Sequence, residues 1–340
     1  MNRIQRLQEK LTTDVLIVDF PSDLLYLTGI DVTPARLILS RDKAALFVTA
    51  RDFDQAKSRA PCPVFSTEKW VEFVQSAQTI GFDSACVTVE AFQKLQQTFP
   101  GKEWTPIPRP LQVIRSCKER EEIEALRKAA KLTWEGFQHI SKLLKEGIAE
   151  EELAFEFEIF CRKKGATRLS FPPNIGFGPN SAFPHHRAGK TRLNKDQIIL
   201  FDLGAVVDEY AGDMTRVLFF GHPDPQLERD YKLVREVQRL AVKAIRPGIR
   251  FGELDKLVRE RMKEEGVADL FIHGLSHGIG LNVHEYPTMR VSGDGADILL
   301  EVGMVITVEP GLYRPGTGGV RYEDTVLITE SGVENFYPDG

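Results

Sequence analysis

The chain has 340 residues, of which 42% are apolar and 27% charged, with a formal net charge of −5. That length suits two domains with ample core material, and the acidic balance lacks the basic footprint of a nucleic-acid binder. No run of about 18 apolar residues offers a membrane span, and the opening Met-Asn-Arg-Ile-Gln-Arg leads into polar residues rather than a signal core, so a cytoplasmic protein is expected.

Asp14–Phe20, Ala35–Ser40 and Ala44–Thr49 are short β-rich runs bounded by turn residues, the last two joined by Arg41-Asp42-Lys43 as a hairpin. They predict a small α/β domain. Pro100, Pro106, Pro108 and Pro110 then crowd one stretch, which suits neither a helix nor a central strand and marks a boundary. The domains expected are therefore 1–110, ending in a Pro-rich linker, and 111–340. Beyond the boundary, Ile123, Leu126, Ala130, Trp134 and Phe137 recur at helical spacing. Cys62, Cys86, Cys117 and Cys161 are scattered without a CxxC pair and read as reduced structural thiols.

The second domain repeats itself. Gly147-Ile148, Glu152-Leu153 and Gly165 correspond to Gly248-Ile249, Glu253-Leu254 and Gly266 at a constant offset of 101 residues. Each copy predicts a helix with a Gly-Ile lead-in and a Gly stop. Each is followed by a pair of acids at strand ends: Asp202 and Asp213 in the first copy, Glu309 and Glu323 in the second. A two-fold arrangement would bring these four carboxylates together, and buried carboxylates need cations or several donors. The alternative for the first pair is a turn Asp plus an Asp paired with Arg216.

Three of the seven histidines fall within His273-Gly-Leu-Ser-His-Gly-Ile-Gly-Leu-Asn-Val-His-Glu285. No HExxH helix is present, and Gly278-Ile-Gly280 lacks the rest of a phosphate loop. Gly278 lets the backbone at His277 come close to a bound group, so His277 is the candidate ligand beside the acids. His273, His284 and His185 then surround the site. Four carboxylates and an imidazole suit two divalent ions, manganese first, with zinc or cobalt also compatible. Such a pair, typically ~3.5–4 Å apart, activates water and polarises a carbonyl, which implies metal-assisted hydrolysis.

The motifs Gly178-Pro-Asn-Ser181 with Pro184-His185, Phe201-Asp-Leu-Gly204, Gly212-Asp-Met-Thr-Arg216, the histidine stretch, Val308-Glu-Pro-Gly311 and Gly319-Val-Arg-Tyr-Glu-Asp324 resemble the proline-specific pita-bread metallopeptidases. These are the Xaa-Pro aminopeptidases and Xaa-Pro dipeptidases. The resemblance implies a creatinase-like α/β domain at the N-terminus, then a pita-bread domain with an internal pseudo-two-fold repeat, and a homodimer. It makes Asp202, Asp213, His277, Glu309 and Glu323 the metal ligands, with Asp213 and Glu323 bridging. Glu309 is also the acid/base, and His284 stabilises the carbonyl oxygen. His185 and His273 aid proton transfer to the leaving nitrogen, a part for which His186 is the alternative to His185, and Arg321 steadies the ligands. The substrates implied are proline-containing peptides, with an Xaa-Pro aminopeptidase as the first reading and an Xaa-Pro dipeptidase as the second. A non-catalytic pita-bread module ranks last, because all five ligand positions are filled. Archaeal-type dipeptidases carry an arginine shortly after Val-His-Glu; here Thr288 follows, with Arg290 two residues later.

Overall fold

The computed structural model describes residues 2–222, 224–288 and 295–338, and divides the chain into two compact units, Met1–Arg115 and Ser116–Gly340. Arg290 lies outside the described residues.

In the first unit, strands β1 (Val15–Val18), β2 (Ala35–Leu39), β3 (Ala44–Val48), β4 (Val64–Ser66), β5 (Thr79–Asp83) and β6 (Glu103–Ile107) form one mixed sheet in the order β4-β3-β2-β1-β5-β6. The expected β2–β3 hairpin is present, closed by Ser40 N–H donating to the Lys43 carbonyl at 2.8 Å. The Pro-rich stretch differs from a plain linker: it contains β6, with Pro106 paired opposite Phe82. Proline is tolerated there because β6 is an edge strand, whose missing N–H leaves no neighbour unsatisfied. Helices α1 (Arg3–Gln8), α2 (Pro21–Thr28), α3 (Phe53–Arg59), α4 (Trp70–Val74), α5 (Val89–Thr98) and α6 (Gln112–Ser116) complete the elements up to the division.

The second unit is built twice. Its first half pairs α7 (Arg120–Ser141) with α8 (Glu150–Lys163); its second pairs α9 (Pro225–Ala244) with α10 (Phe251–Glu264). The two Gly-bounded helices α8 and α10 have the same length and sit 101 residues apart. Gly147, Gly165, Gly248 and Gly266 all have positive φ, which is why glycine recurs at both ends of each copy. The lead-ins bond alike: Gly147 N–H to the Leu193 carbonyl at 2.8 Å, and Gly248 N–H to that of Leu300 at 2.8 Å.

Each helix pair covers a sheet. The first half contributes β7 (Arg168–Leu169), β8 (Asn174–Phe177), β9 (Gln197–Leu203), β10 (Ala205–Val207), β11 (Tyr210–Ala211) and β12 (Met214–Phe220). The second contributes β13 (His277–Gly278), β14 (Glu285–Thr288), β15 (Val305–Val308), β16 (Gly311–Arg314), β17 (Gly318–Arg321), β18 (Asp324–Thr329) and β19 (Gly332–Asn335). The main sheets run β12-β9-β8 and β14-β13-β15-β18-β19. One core gathers Leu153, Phe157, Phe201 and Met214, the other Leu254, Val258, Ile306 and Val326, all buried. The halves meet where Glu323 N–H donates to the Thr215 carbonyl at 3.2 Å, joining the start of β18 to β12. That seam carries the acids.

Candidate metal centre

The strand ends deliver the predicted residues to one place. Asp202 is next to last in β9, opposite Thr215 of β12, and Asp213 immediately precedes β12. Between them β10 and β11 form a second small hairpin, so the Gly204–Gly212 turn is itself folded. Glu309 follows β15, and Glu323 immediately precedes β18. Arg216 is not the partner of Asp213: its Nη2 donates to Asp324 Oδ1 at 2.7 Å and its Nη1 to the Glu323 carbonyl at 2.6 Å. The ordinary ion-pair explanation for Asp213 therefore fails.

Ligand atoms of Asp213, His277 and Glu323 lie within 4.8 Å of one another. Glu309 adjoins them, with Oε1 3.4 Å from His277 Nε2. Asp202 stands slightly apart, one carboxylate oxygen taken by Arg321 Nη2 at 2.6 Å. All five line one cavity of about 620 Å³, together with His185, His273, His284 and Arg321.

The imidazole of His277 tests whether a cation fits. Its Nδ1 lies 3.1 Å from the Gly278 carbonyl oxygen, which can only accept, so Nδ1 carries the proton. Nε2 is then a bare lone pair facing carboxylate oxygens of Glu309 at 3.4 Å and Asp213 at 3.7 Å. Protonation of Nε2 is disfavoured, because burial holds this histidine at about 3. With both carboxylates ionised, these contacts are acceptor against acceptor rather than ion pairs, an arrangement that a cation between them relieves. A backbone carbonyl receiving the remote N–H is also how metal-bound histidines are oriented.

The carboxylates tell the same story. Burial, then the charge of Glu323, pushes Asp213 and Glu309 well above the usual carboxylate range. Burial, then Asp202, pushes Glu323 up to about 7. Burial also raises Asp202, against the pull of Arg321. Four acids whose buried cations are Arg321 and, beside Glu323, Arg216 are short of positive charge, and the donor set of carboxylates with one imidazole fits divalent ions.

The other histidines divide by what they touch. His273 Nδ1 donates to the Gly274 carbonyl at 2.9 Å, so Nε2 accepts from the Tyr313 hydroxyl at 2.8 Å. Both nitrogens are engaged, and burial holds the ring at about 3. The His284 ring centroid is 4.3 Å from that of His277, edge to face. His186 Nε2 lies 2.9 Å from Glu150 Oε2, whereas His185, also on the cavity wall, makes no side-chain hydrogen bond among the described residues. Gly278 serves a different need from the one expected. A Cβ there would collide with the Tyr286 carbonyl, so it is glycine to admit strand β14 rather than a bound group.

Residues 124–330 match the model of metallopeptidase family M24. The chain belongs to this family. Residues 1–117 match the creatinase/prolidase N-terminal domain. An Xaa-Pro dipeptidase of Pyrococcus furiosus is 33% identical over 98% of this chain and 96% of its own length. Among solved structures, an Xaa-Pro dipeptidase from Bacillus anthracis superposes with a TM-score of 0.94 at 29% identity, over 99% of this chain and 97% of that one. An X-Pro aminopeptidase from Thermotoga maritima reaches 0.89 at 27%, over 98% of each. The fold read from the motifs, an α/β domain followed by a pita-bread domain, is the fold of this M24 member.

Sequence reasoning missed Tyr313 and Thr215. The Arg321 guanidinium donates from Nη1 to the Tyr313 hydroxyl at 2.8 Å and from Nε to Thr215 Oγ1 at 2.9 Å. Thr215 Oγ1 in turn donates to Glu323 Oε2 at 2.7 Å. The signal was available: Tyr313 lies four residues after Glu309 and faces Gly319 across β16 and β17, and Thr215 is two residues after Asp213.

Proposed function

We propose that this M24 peptidase is a dinuclear-metal exopeptidase that hydrolyses the bond before proline, with Xaa-Pro dipeptides as its substrates. The bare Nε2 of His277 facing two carboxylates carries the metal part of this reading. The sequence alone favours the aminopeptidase. The similarity to dipeptidases at TM-scores of 0.94 and, for a prolidase from Pyrococcus furiosus, 0.92 supports placing the dipeptidase ahead.

Asp202, Asp213, His277, Glu309 and Glu323 would hold two divalent ions, manganese being our choice for so oxygen-rich a set. Bound there, the ions supply an activated water and polarise the scissile carbonyl. Glu309, with Oε1 3.4 Å from His277 Nε2 at the edge of the ligand cluster, takes up the proton of the attacking water. His284, exposed beside His277, stabilises charge developing on the carbonyl oxygen. The nitrogen of proline leaves a tertiary amide and must gain a proton. His185, exposed on the wall with no side-chain bond among the described residues, would deliver it. His273, with both nitrogens engaged, orients Tyr313 and through it Arg321. A homodimer accompanies the family resemblance.

The test is protein reconstituted with manganese, zinc or cobalt and assayed on Xaa-Pro, Xaa-Pro-Yaa, longer peptides and Met-Ala. Fastest cleavage of Xaa-Pro is expected. Faster cleavage of Xaa-Pro-Yaa would hand the function to the aminopeptidase reading, and no cleavage before proline with ions bound would defeat both.

A further inference from the structure

A peptidase confined to dipeptides must sense where its substrate ends, and the cavity wall offers a cation for that purpose. Extending a peptide by one residue moves its terminal carboxylate outward by roughly 3.3–3.6 Å, so a positive group fixed in place reads chain length directly. The acid cluster repels a carboxylate, so the receiving group has to lie elsewhere on the wall.

Most of the positive or potentially positive groups lining the cavity are already committed. Arg321 uses Nε on Thr215, Nη1 on Tyr313 and Nη2 on Asp202. His186 is held by Glu150, and His273 is bonded at both ring nitrogens. Arg187 also lines the cavity, is exposed, and makes no side-chain hydrogen bond or ion pair among the described residues. It is the one guanidinium on the described wall without a partner.

The backbone around it is held firmly. Glu150 is fully buried, and its Oε1 accepts from Phe177 N–H at 2.9 Å and Asn180 Nδ2 at 2.9 Å. Its Oε2 takes His186 Nε2 at 2.9 Å and Gly189 N–H at 3.1 Å. Asn174 Nδ2 adds a bond to the Pro184 carbonyl at 2.7 Å. Arg187 thus stands between two pinned residues, His186 and Gly189. The backbone that carries the fork is anchored, so bidentate capture of a carboxylate need order only the side chain.

We propose that Arg187 is the specificity-determining residue that receives the C-terminal carboxylate of the substrate. The proposal rests on the Xaa-Pro reading and deepens it. It also accounts for how this chain can act on dipeptides with Thr288 after the Val-His-Glu stretch.

The experiment compares metal-loaded wild type, Arg187→Gln and Arg187→Lys on Ala-Pro, its C-terminal amide and Ala-Pro-Ala. Wild type should prefer Ala-Pro to the amide in kcat/KM. In Arg187→Gln that preference should fall about 10–100-fold, the worth of a charge-assisted pair, with the loss carried by KM rather than kcat. Arg187→Lys should keep part of it. The proposal is overturned if wild type cleaves amide and dipeptide alike, or if Arg187→Gln keeps the wild-type ratio. Cleavage of Ala-Pro by both proteins with an unchanged ratio removes only the role of Arg187. Failure of wild type on all three peptides removes the Xaa-Pro reading, and Arg187's role with it.

Discussion

Arg321 Nη2 donates to Asp202 Oδ2 at 2.6 Å, so a guanidinium from the second half of the repeat holds a carboxylate from the first. The same side chain reaches Thr215 and Tyr313, and Thr215 passes the contact to Glu323. A lysine can supply the charge, but its single nitrogen cannot span the three partners that Nε, Nη1 and Nη2 of the planar fork reach. Arg321→Ala should destabilise the fold by about 3–5 kcal/mol, the usual cost of orphaning a buried charge. Arg321→Lys should fold, bind fewer metal ions and lose activity. Thermal unfolding and metal analysis check both, and a lysine variant with full metal content and normal rates would contradict the fork.

Thr215→Val is the cleaner probe of the relay. Valine matches the shape of threonine and removes only the hydroxyl, which here accepts from Arg321 and donates to Glu323. Loss of buried partners of charged groups should cost about 1–3 kcal/mol in stability. Activity should fall with it while the backbone pairing of Thr215 with Asp202 persists. An unchanged midpoint would mean the hydroxyl is dispensable.

Glu309→Gln keeps size and removes the proton acceptor. Its hydrolysis before proline is expected to fall at least about 10²–10⁴-fold, the contribution typical of a positioned acid/base. Metal content separates causes: retained ions with lost rate assign Glu309 to proton transfer, whereas ions lost in parallel assign it to ligation. Near-wild-type hydrolysis would sink both roles.

The repeat and the ligand candidates were legible because both have local signatures. A helix stop at positive φ favours glycine, and strand-end acids interrupt apolar runs. What was not legible depended on contacts between halves. Nothing in Gly212-Asp-Met-Thr-Arg216 says that Arg216 turns to Asp324 rather than Asp213. Likewise Gly278 is adjacent to His277 in sequence, but its need for no Cβ comes from the Tyr286 carbonyl on the neighbouring strand. The proline cluster hid an edge strand because a breaker is compatible with either a linker or an unpaired edge.

Without metal, stability should fall as pH rises above neutrality. A carboxyl whose folded pKa is raised stabilises the fold below its ordinary value, and this is lost as pH climbs through the folded one. For Glu323 that window runs from 4.5 to about 7, and Asp213 and Glu309 shift in the same direction. His273 and His277 oppose this: held at about 3 against an ordinary 6.5, they stabilise above 6.5 and lose that as pH falls. Above 6.5 the histidine contributions level off, and the carboxyls dominate the change. The metal-free melting midpoint should therefore drop as pH rises from 6.5 through about 7, where Glu323 ionises, with Asp213 and Glu309 adding to the fall as they follow. Manganese should reverse the trend, since ligands must shed protons to bind it. A metal-free midpoint that is flat or rising over that window would contradict the charge-starved site.

Glu150 provides the last expectation, because its carboxylate serves four donors and none of them belongs to the metal centre. It is the first residue of α8, where a negative charge also faces the positive end of the helix dipole. Glu150→Ala removes the acceptor for the buried Phe177 N–H and for that of Gly189, at about 1–3 kcal/mol for each unsatisfied donor. Glu150→Gln keeps one acceptor oxygen and turns an NH₂ toward groups that themselves donate, so it should recover only part of the loss. The loop it anchors carries His185 and Arg187, so amide exchange across residues 177–189 should accelerate in both variants. Metal content should stay at the wild-type level. Protected amides in that segment alongside lost activity would place the effect of Glu150 elsewhere than in the loop.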